Sequence, residues 1–369
     1  MKKYNWTIDD IKDRYKLLQK MKREEKNPHK LELIYQDIEE IANYLLDVEN
    51  PEKEDMPKLL DSYAIAKSEL VPRRYMWGDL ELFRDETSSS LTIAPILKRN
   101  SLSKKDILDL THDFYKTCLD KNLFHFFLKN FRRRYDHMMF TREQIDPNCM
   151  GESLNILSLG ESFISSFRDY TIEDVLTTIH EYSHATSAVI NPSSLCGDNH
   201  TFCEIEPLFM EMIGANYLES IFKNGEATGA RAGIHEIQCC SADVLASKIG
   251  LIKAEENFYG GKYKSNKELK EGAKKHLGLS SEETDDIIQI GTTSYDYLIS
   301  YLFAIELYTM YQSDRDKAID TLKRIINLDC KSELEYFKSL KMMGLIPNYS
   351  LREYHRDMNE SVRKLEKKN

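Results

Sequence analysis

The sequence predicts a mainly α-helical fold with one small β-hairpin. Apolar residues recur at helical spacing through most of the 369 residues, glycine and proline number only 15 and 9, and a single stretch resembles paired strands. Two parts are expected, an N-terminal helical subdomain over 1–100 and a larger domain over 101–369. The boundary is placed in 71–101, because this segment holds two prolines, a glycine and a serine run.

The elements of the N-terminal half are predicted as helices with polar outer faces. Thr7 and Asp10 have the spacing of a capping box, which predicts that the first helix begins there. A second helix is expected from about residue 29 to 46. Another is expected after Ser103, and the aromatic residues that follow predict one more helix over 121–140.

One segment is predicted to form strands. Between Gly151 and Phe167 the stretch SLNILSLGESFISSF is rich in Ile, Phe and Ser and is broken by Gly160, which predicts a short hairpin. An edge strand within residues 153–167 could pair with the backbone of an extended peptide. The helical pattern then returns from Tyr170 almost to the end of the chain.

Charge and composition exclude several function classes. The 51 basic and 61 acidic residues give a net charge of −10, which disfavours a nucleic-acid partner because binding phosphates needs a basic surface. No signal peptide precedes the first helix, and no run of 18 uncharged apolar residues predicts a membrane partner. The seven cysteines are odd in number and lack a CxxC pair. They are expected to be reduced, as in a cytoplasmic protein.

The segment 171–190 carries the candidate chemistry. Thr171 and Asp174 have the spacing of another capping box, and apolar residues follow at helical intervals, so a helix is expected independently of any motif. On this helix His180 and His184 lie one turn apart. Glu181 lies within about 100° of both histidines.

This HExxH pattern is typical of a zinc site. Two imidazoles bind the metal from a rigid helix, and Glu181 reaches the metal-bound water as its general base. The pattern should arise by chance in roughly one chain in forty of this composition, so a third ligand is needed to support it. A metzincin would carry glycine at position 187 and histidine at 190. Ser187 and Ile190 exclude that class.

The third ligand is sought in a second predicted helix within GDNHTFCEIEPLFMEMIGANYL. Pro207 is tolerated there only in the first turn. Glu204 and Glu211 are two turns apart and face the same way, whereas Glu206 is predicted to point nearly opposite. We therefore expect Glu204 to be the third ligand and Glu211 to hold a zinc-bound histidine by its other ring nitrogen. His200, in the preceding loop, is the competing ligand.

TIEDVLTTIHEYSH followed by EIEPLFME resembles the active site of the oligoendopeptidase F and thimet oligopeptidase family of zinc metallopeptidases. SYDYLISYLFA and EYFKSLKMMGLIPNYSL are similar to the tyrosine-rich helix and the closing segment of that family. The likeness covers about residues 150–350. The chain departs from the family at Ser183, which replaces the glycine of HExGH, and at Ser187, which replaces a frequent histidine. Thermolysin-like peptidases fit less well, because Leu208 stands where they carry an acidic residue.

The resemblance also assigns roles to tyrosines. A phenol hydroxyl that faces the tetrahedral oxygen would stabilise its developing charge. Alignment with the tyrosine-rich helix of the family favours Tyr297 and then Tyr295 as this catalytic residue. Tyr301 shares a helix face with Tyr297 and, with His200, is a weaker candidate for binding substrate. Packing in the core is the alternative role for each of these tyrosines.

The resemblance implies a helical zincin-type metallopeptidase, with 101–369 as its catalytic domain, one Zn²⁺ per chain and a deep cleft that excludes folded proteins. The resulting hypothesis is hydrolysis of internal bonds in short peptides, with Glu181 as the general base. One alternative is a metalloendopeptidase that processes a single protein or leader peptide. Another is a zinc-binding pseudoenzyme or binding protein, although a purely structural zinc site would not need Glu181. No oligomeric state is predicted.

Overall fold

The structure is a computed structural model. It describes residues 7–27, 102–132, 138–141, 151–156, 161–167, 171–191, 202–221, 293–330 and 333–346, with isolated positions within 30–41 and 265–274. The predicted boundary at 71–101 lies outside the described residues, so the division into 1–100 and 101–369 stays a prediction. The described positions of the predicted second helix, among them the buried Ile34 and Ile38, are helical.

Eight helices and three strands lie within the described residues, as the mainly α-helical prediction requires. In chain order they are α1 (Ile8–Glu24), α2 (Lys104–Cys118), α3 (Lys121–Phe131), β1 (Met138–Thr141), β2 (Gly151–Ile156), β3 (Glu161–Phe167), α4 (Ile172–Ile190), α5 (Ile205–Ile221), α6 (Thr293–Ser313), α7 (Arg315–Ile326) and α8 (Glu333–Met342).

The predicted helix starts are confirmed by their caps. The Thr7 side chain accepts a hydrogen bond from the Asp10 amide, and Asp10 accepts one in return from the Thr7 amide. Ser103 and Asp106 form the same reciprocal pair before α2. Asp120 caps α3 by accepting bonds from two amides of its first turn. Each cap satisfies amides that have no partner within the helix.

The predicted helix over 121–140 is wrong in its second half. Helix α3 ends at Phe131, and Met138–Thr141 forms the strand β1. Leu123, Phe127 and Phe131 make the buried stripe of α3, and the apolar pattern does not continue in the six residues of sequence that follow, RRRYDH. The sequence MMFT instead gains backbone hydrogen bonds by pairing with β3.

The predicted hairpin is confirmed and forms part of a three-stranded sheet. The strand order is β1-β3-β2, with β1 parallel and β2 antiparallel to the central strand β3. Gly151 pairs with Ser166, and Asn155 pairs with Ser162. Within the described part of the chain, β2 is therefore an edge strand of this sheet.

The two faces of β3 pack against different helices. Phe163 joins Ile11, Tyr15 and Leu18 of α1 in a small apolar cluster, where the Tyr15 and Phe163 rings meet edge to face at 5.9 Å. Ile164, the next residue, belongs to the main core with α4. This alternation places the sheet between α1 and α4.

Helix α4 lies at the centre of the main core and contacts α2, α3, α5, β2 and β3. Helix α5 is buried on nearly all sides, since α2, α4 and α6 all pack against it. Gly214 allows α5 to approach α4 closely, because a Cβ there would lie 3.1 Å from Ile179 and 3.2 Å from Leu176. No helix among the described residues is long and apolar enough to cross a bilayer.

Candidate active site

The HExxH motif lies on a helix that is held firmly by its neighbours. Helix α4 begins at Ile172 and is capped by Thr171, whose amide donates to Asp174 at 3.1 Å, as the capping-box spacing predicts. On one side of the motif the Tyr115 hydroxyl of α2 donates to the Ile179 carbonyl at 3.0 Å. On the other side the Asn130 amide of α3 donates to the Ala185 carbonyl at 2.7 Å. These bonds orient the helix on which the candidate ligands stand.

Three side chains converge in the arrangement of a metal site. His180 Nε2 lies 3.2 Å from Glu204 Oε2, and His184 Nε2 lies 3.5 Å from Glu204 Oε1. The candidate ligand atoms of all three residues lie within 4.8 Å of one another. Glu204 stands just before α5, where its carbonyl accepts from the Leu208 amide, so the start of this helix positions the carboxylate.

The chemistry of these donors fits a metal ion. Glu204 Oε2 is buried and makes no hydrogen bond, although it faces His180 Nε2. A buried carboxylate oxygen without a donor is costly, and a cation among the three side chains would satisfy it. Two imidazole nitrogens and one carboxylate oxygen are a common ligand set of zinc. His180, His184 and Glu204 could therefore hold a metal ion, as expected from the sequence.

Glu211 contacts the ring nitrogen of His180 that faces away from Glu204. Its Oε1 is 2.7 Å from His180 Nδ1, and both side chains are mostly shielded from water. A proton on Nδ1 leaves Nε2 as the ring nitrogen that can bind a metal ion. Burial by itself lowers the pKa of His180, but the carboxylates of Glu211 and Glu204 more than offset this and raise it well above its usual value.

The candidate general base is buried beside the three candidate metal ligands. Glu181 is 5% exposed, and this burial raises its pKa to about 7, although His180 and His184 act in the opposite direction. A carboxyl group with a pKa near neutrality can both accept and return a proton. The carboxylate also lies against Gly151 at the start of β2.

Sequence reasoning missed the pairing of Glu206 with Ser187. Glu206 was expected to point away from Glu204 and the histidines, yet its buried carboxyl accepts a hydrogen bond from the Ser187 hydroxyl of α4. The expectation assumed that Glu204 is helical, but α5 begins only at Ile205, so the 100° spacing does not apply between Glu204 and Glu206. Burial raises the pKa of Glu206 to about 7. The serine at 187, one turn after His184, was the available signal.

The remaining predicted residues are placed only in part. His200 lies outside the described residues. Tyr295 and Tyr297 lie on α6, but only their backbone is described. Tyr301 is 2% exposed and belongs to the main core, so packing accounts for its position. The roles predicted for these four residues stay predictions.

Comparisons with known proteins give matches of structure alone. No protein-family model matches the chain, and no curated protein matches it. PZ peptidase A, solved with an inhibitor, matches with a TM-score of 0.54 and 13% identity over 96% of this chain and 68% of its own. A presumed peptidase from Chlamydophila abortus matches with a TM-score of 0.52 and 9% identity over 97% of this chain and 63% of its own. This chain thus spans about two thirds of the length of either structure.

The two matches extend over nearly the whole chain. At this level of identity they establish the fold and leave the chemistry to the residues of this chain. The mainly helical fold class predicted from the sequence is confirmed. The chain has the fold of the peptidases it matches.

Proposed function

We propose that the protein is a zinc-dependent peptidase that hydrolyses internal bonds of short peptides. One observation carries the proposal: His180, His184 and Glu204 converge on one point, and the buried carboxyl group of Glu181 lies on α4 together with the two histidines. The match to PZ peptidase A supports a peptide as the substrate. Two histidines and a glutamate favour zinc over magnesium or calcium, which prefer oxygen ligands.

The metal-ligating side chains have divided roles. His180 and His184 would hold zinc from one rigid helix, and Glu204 would complete the set from the start of α5. Glu211 would keep His180 in the required tautomer through its contact with Nδ1. When bound, zinc supplies a Lewis acid that polarises the scissile carbonyl and makes a water molecule more acidic.

Glu181 would move the proton. Its carboxylate takes a proton from the attacking water and then returns it to the nitrogen of the leaving amine, which breaks the C–N bond without forming a charged amide anion. The pKa of Glu181, raised to about 7 by burial, suits both steps near neutral pH. A phenol hydroxyl from α6, Tyr297 or Tyr295, would stabilise the charge on the carbonyl oxygen.

The edge strand β2 would orient the peptide. Gly151, Ser153 and Asn155 are every second residue of β2 and lie on one face of the strand. Gly151 lies against α4 beside Glu181. An extended peptide that paired with the outer edge of β2 would place its backbone next to the HExxH helix. Folded proteins offer no such free extended segment, so short peptides are the expected substrates.

The proposal is tested by metal content and peptide hydrolysis together. The purified chain should bind one zinc ion, hydrolyse peptides of 5 to 20 residues, lose activity on chelation and regain it with zinc. His184→Ala should lose both zinc and activity, whereas His125→Ala, which changes an exposed histidine on α3, should lose neither. A chain that binds no zinc would contradict the proposal, as would activity that survives complete removal of metal. Equal rates on a folded protein would contradict the preference for short peptides.

A further inference from the structure

Gly151 occupies a position where no side chain fits. A Cβ on Gly151 would lie 2.7 Å from Thr177 Cγ2, 2.8 Å from Glu181 Oε1 and 3.0 Å from Glu181 Cγ. All three distances are too short for a carbon atom in van der Waals contact. Among the described glycines only Gly344 has a positive φ, so the backbone conformation of Gly151 does not itself require glycine. The contact with α4 does.

From this contact we infer that Gly151 is a positioning residue for Glu181, which confines the carboxyl group between the backbone of β2 and helix α4. The inference rests on the proposed role of Glu181 as general base. Of the described glycines, Gly151 is the one whose Cβ position meets this carboxyl group. The strand proposed to bind the peptide would thus also set the position of the base.

Thr177 and strand β2, the other two parts of this contact, can move less than the Glu181 side chain. Thr177 is β-branched and lies one turn before Glu181 on α4, so χ1 of its side chain is limited to two rotamers. Strand β2 pairs through Gly151 with Ser166 of β3, which is fully buried, and β3 is itself packed between α1 and α4. A retreat of β2 would break this pairing. An added methyl group would therefore displace the Glu181 side chain, which has three rotatable bonds.

Gly151→Ala tests this role in the full-length, zinc-loaded protein. Misplacing a reacting group by about 1 Å can cost 10²-fold in rate, so we expect kcat to fall by about 10- to 100-fold. KM should stay within about threefold of wild type, because the substitution does not change how tightly the ground state of the substrate binds. Zinc affinity, measured by chelator competition, should also stay within about threefold, because the proposed metal ligands are unchanged. A residue with a purely structural role would instead lower zinc affinity and thermal stability together with activity.

Gly214→Ala is the matched control. This variant also adds a methyl group against α4, but the group meets the ends of the Ile179 and Leu176 side chains instead of Glu181. We expect its kcat to stay within about threefold of wild type, even if its thermal stability changes. Gly151→Ala combined with Thr177→Ser removes the closest methyl group and should recover part of the lost kcat.

Crystal structures of wild type and Gly151→Ala give a result that does not depend on activity. The Glu181 carboxyl group should be displaced in the variant, while His180, His184 and Glu204 keep their positions. If the wild type proves inactive, the proposed function fails, but this comparison still tests the positioning of Glu181. An undisplaced carboxyl group, or a kcat within about threefold of wild type in Gly151→Ala, would overturn the inference.

Discussion

Glu211 offers a quantitative test of the metal site, because it is predicted to act on zinc only through His180. Its carboxylate lies 2.7 Å from His180 Nδ1, and the two side chains are only 22% and 14% exposed. Water can therefore replace this contact poorly. Loss of a group that orients a zinc-bound histidine typically weakens metal binding by about 10- to 100-fold, or about 1.4 to 2.7 kcal/mol.

Two substitutions separate the charge of Glu211 from its hydrogen bond. Glu211→Gln keeps an acceptor oxygen but removes the negative charge, so we expect the zinc Kd to rise by about tenfold. Glu211→Ala removes both, and its Kd should rise by up to about 100-fold. Competition against a chromogenic zinc chelator measures each Kd. Glu219→Gln is the control, since it makes the same change on α5 about 12 Å further along the helix axis.

The order of the variants matters as much as the size of the effect. Wild type and Glu219→Gln should bind zinc equally, Glu211→Gln more weakly, and Glu211→Ala most weakly. If Glu211→Ala bound zinc as tightly as wild type, the bond to His180 Nδ1 would have no part in holding the metal. The assignment of the site around His180 would then be refuted.

Three further predictions concern stability and catalysis. Asp120 caps α3 and pairs with Lys323 at 2.7 Å. In urea titrations, Asp120→Ala should therefore lower the free energy of unfolding by about 1 kcal/mol, and Asp120→Asn should lower it by less. Equal losses in the two variants would contradict the role of Asp120 as a cap. Burial raises the pKa of Glu206 from 4.5 to about 7, so its contribution to stability is full below pH 4.5 and is lost as pH rises through 7. The free energy of unfolding of metal-free Glu206→Gln, taken relative to wild type, should thus be higher at pH 8 than at pH 5 by about 1 to 3 kcal/mol. A difference between variant and wild type that is the same at both pH values would contradict this. Tyr297→Phe should lower kcat by about 10- to 100-fold while Tyr295→Phe has little effect, and the reverse result would exchange their roles.

Local sequence signals predicted the helix starts and the convergence of His180, His184 and Glu204. Capping boxes and HExxH depend on residues three or four apart, so helix geometry alone brings His180, Glu181 and His184 to one side of α4. Glu204 and Glu211 required more, because their distance from α4 depends on how two helices pack. Their seven-residue spacing was sufficient since a second helix does lie against the first.

Long-range contacts account for what the sequence did not predict. Strand β1 forms because MMFT pairs with β3, which begins about twenty residues later in the chain. The hydrogen bond between Ser187 and Glu206 depends on the residue at which α5 begins. A shift of one residue along a helix turns the direction of a side chain by about 100°. The need for glycine at position 151 arises only when β2 lies against Glu181. Each of these features depends on tertiary packing, which local periodicity does not contain.

The central claim is that Glu181 performs proton transfer at a zinc site formed by His180, His184 and Glu204. The most direct measurement is the rate of peptide hydrolysis by zinc-loaded Glu181→Gln, with zinc content determined on the same sample. The substitution removes the base and none of the proposed metal ligands. We predict one zinc per chain and a loss of kcat of at least about 100-fold. Full zinc occupancy with an undiminished rate would contradict the claim.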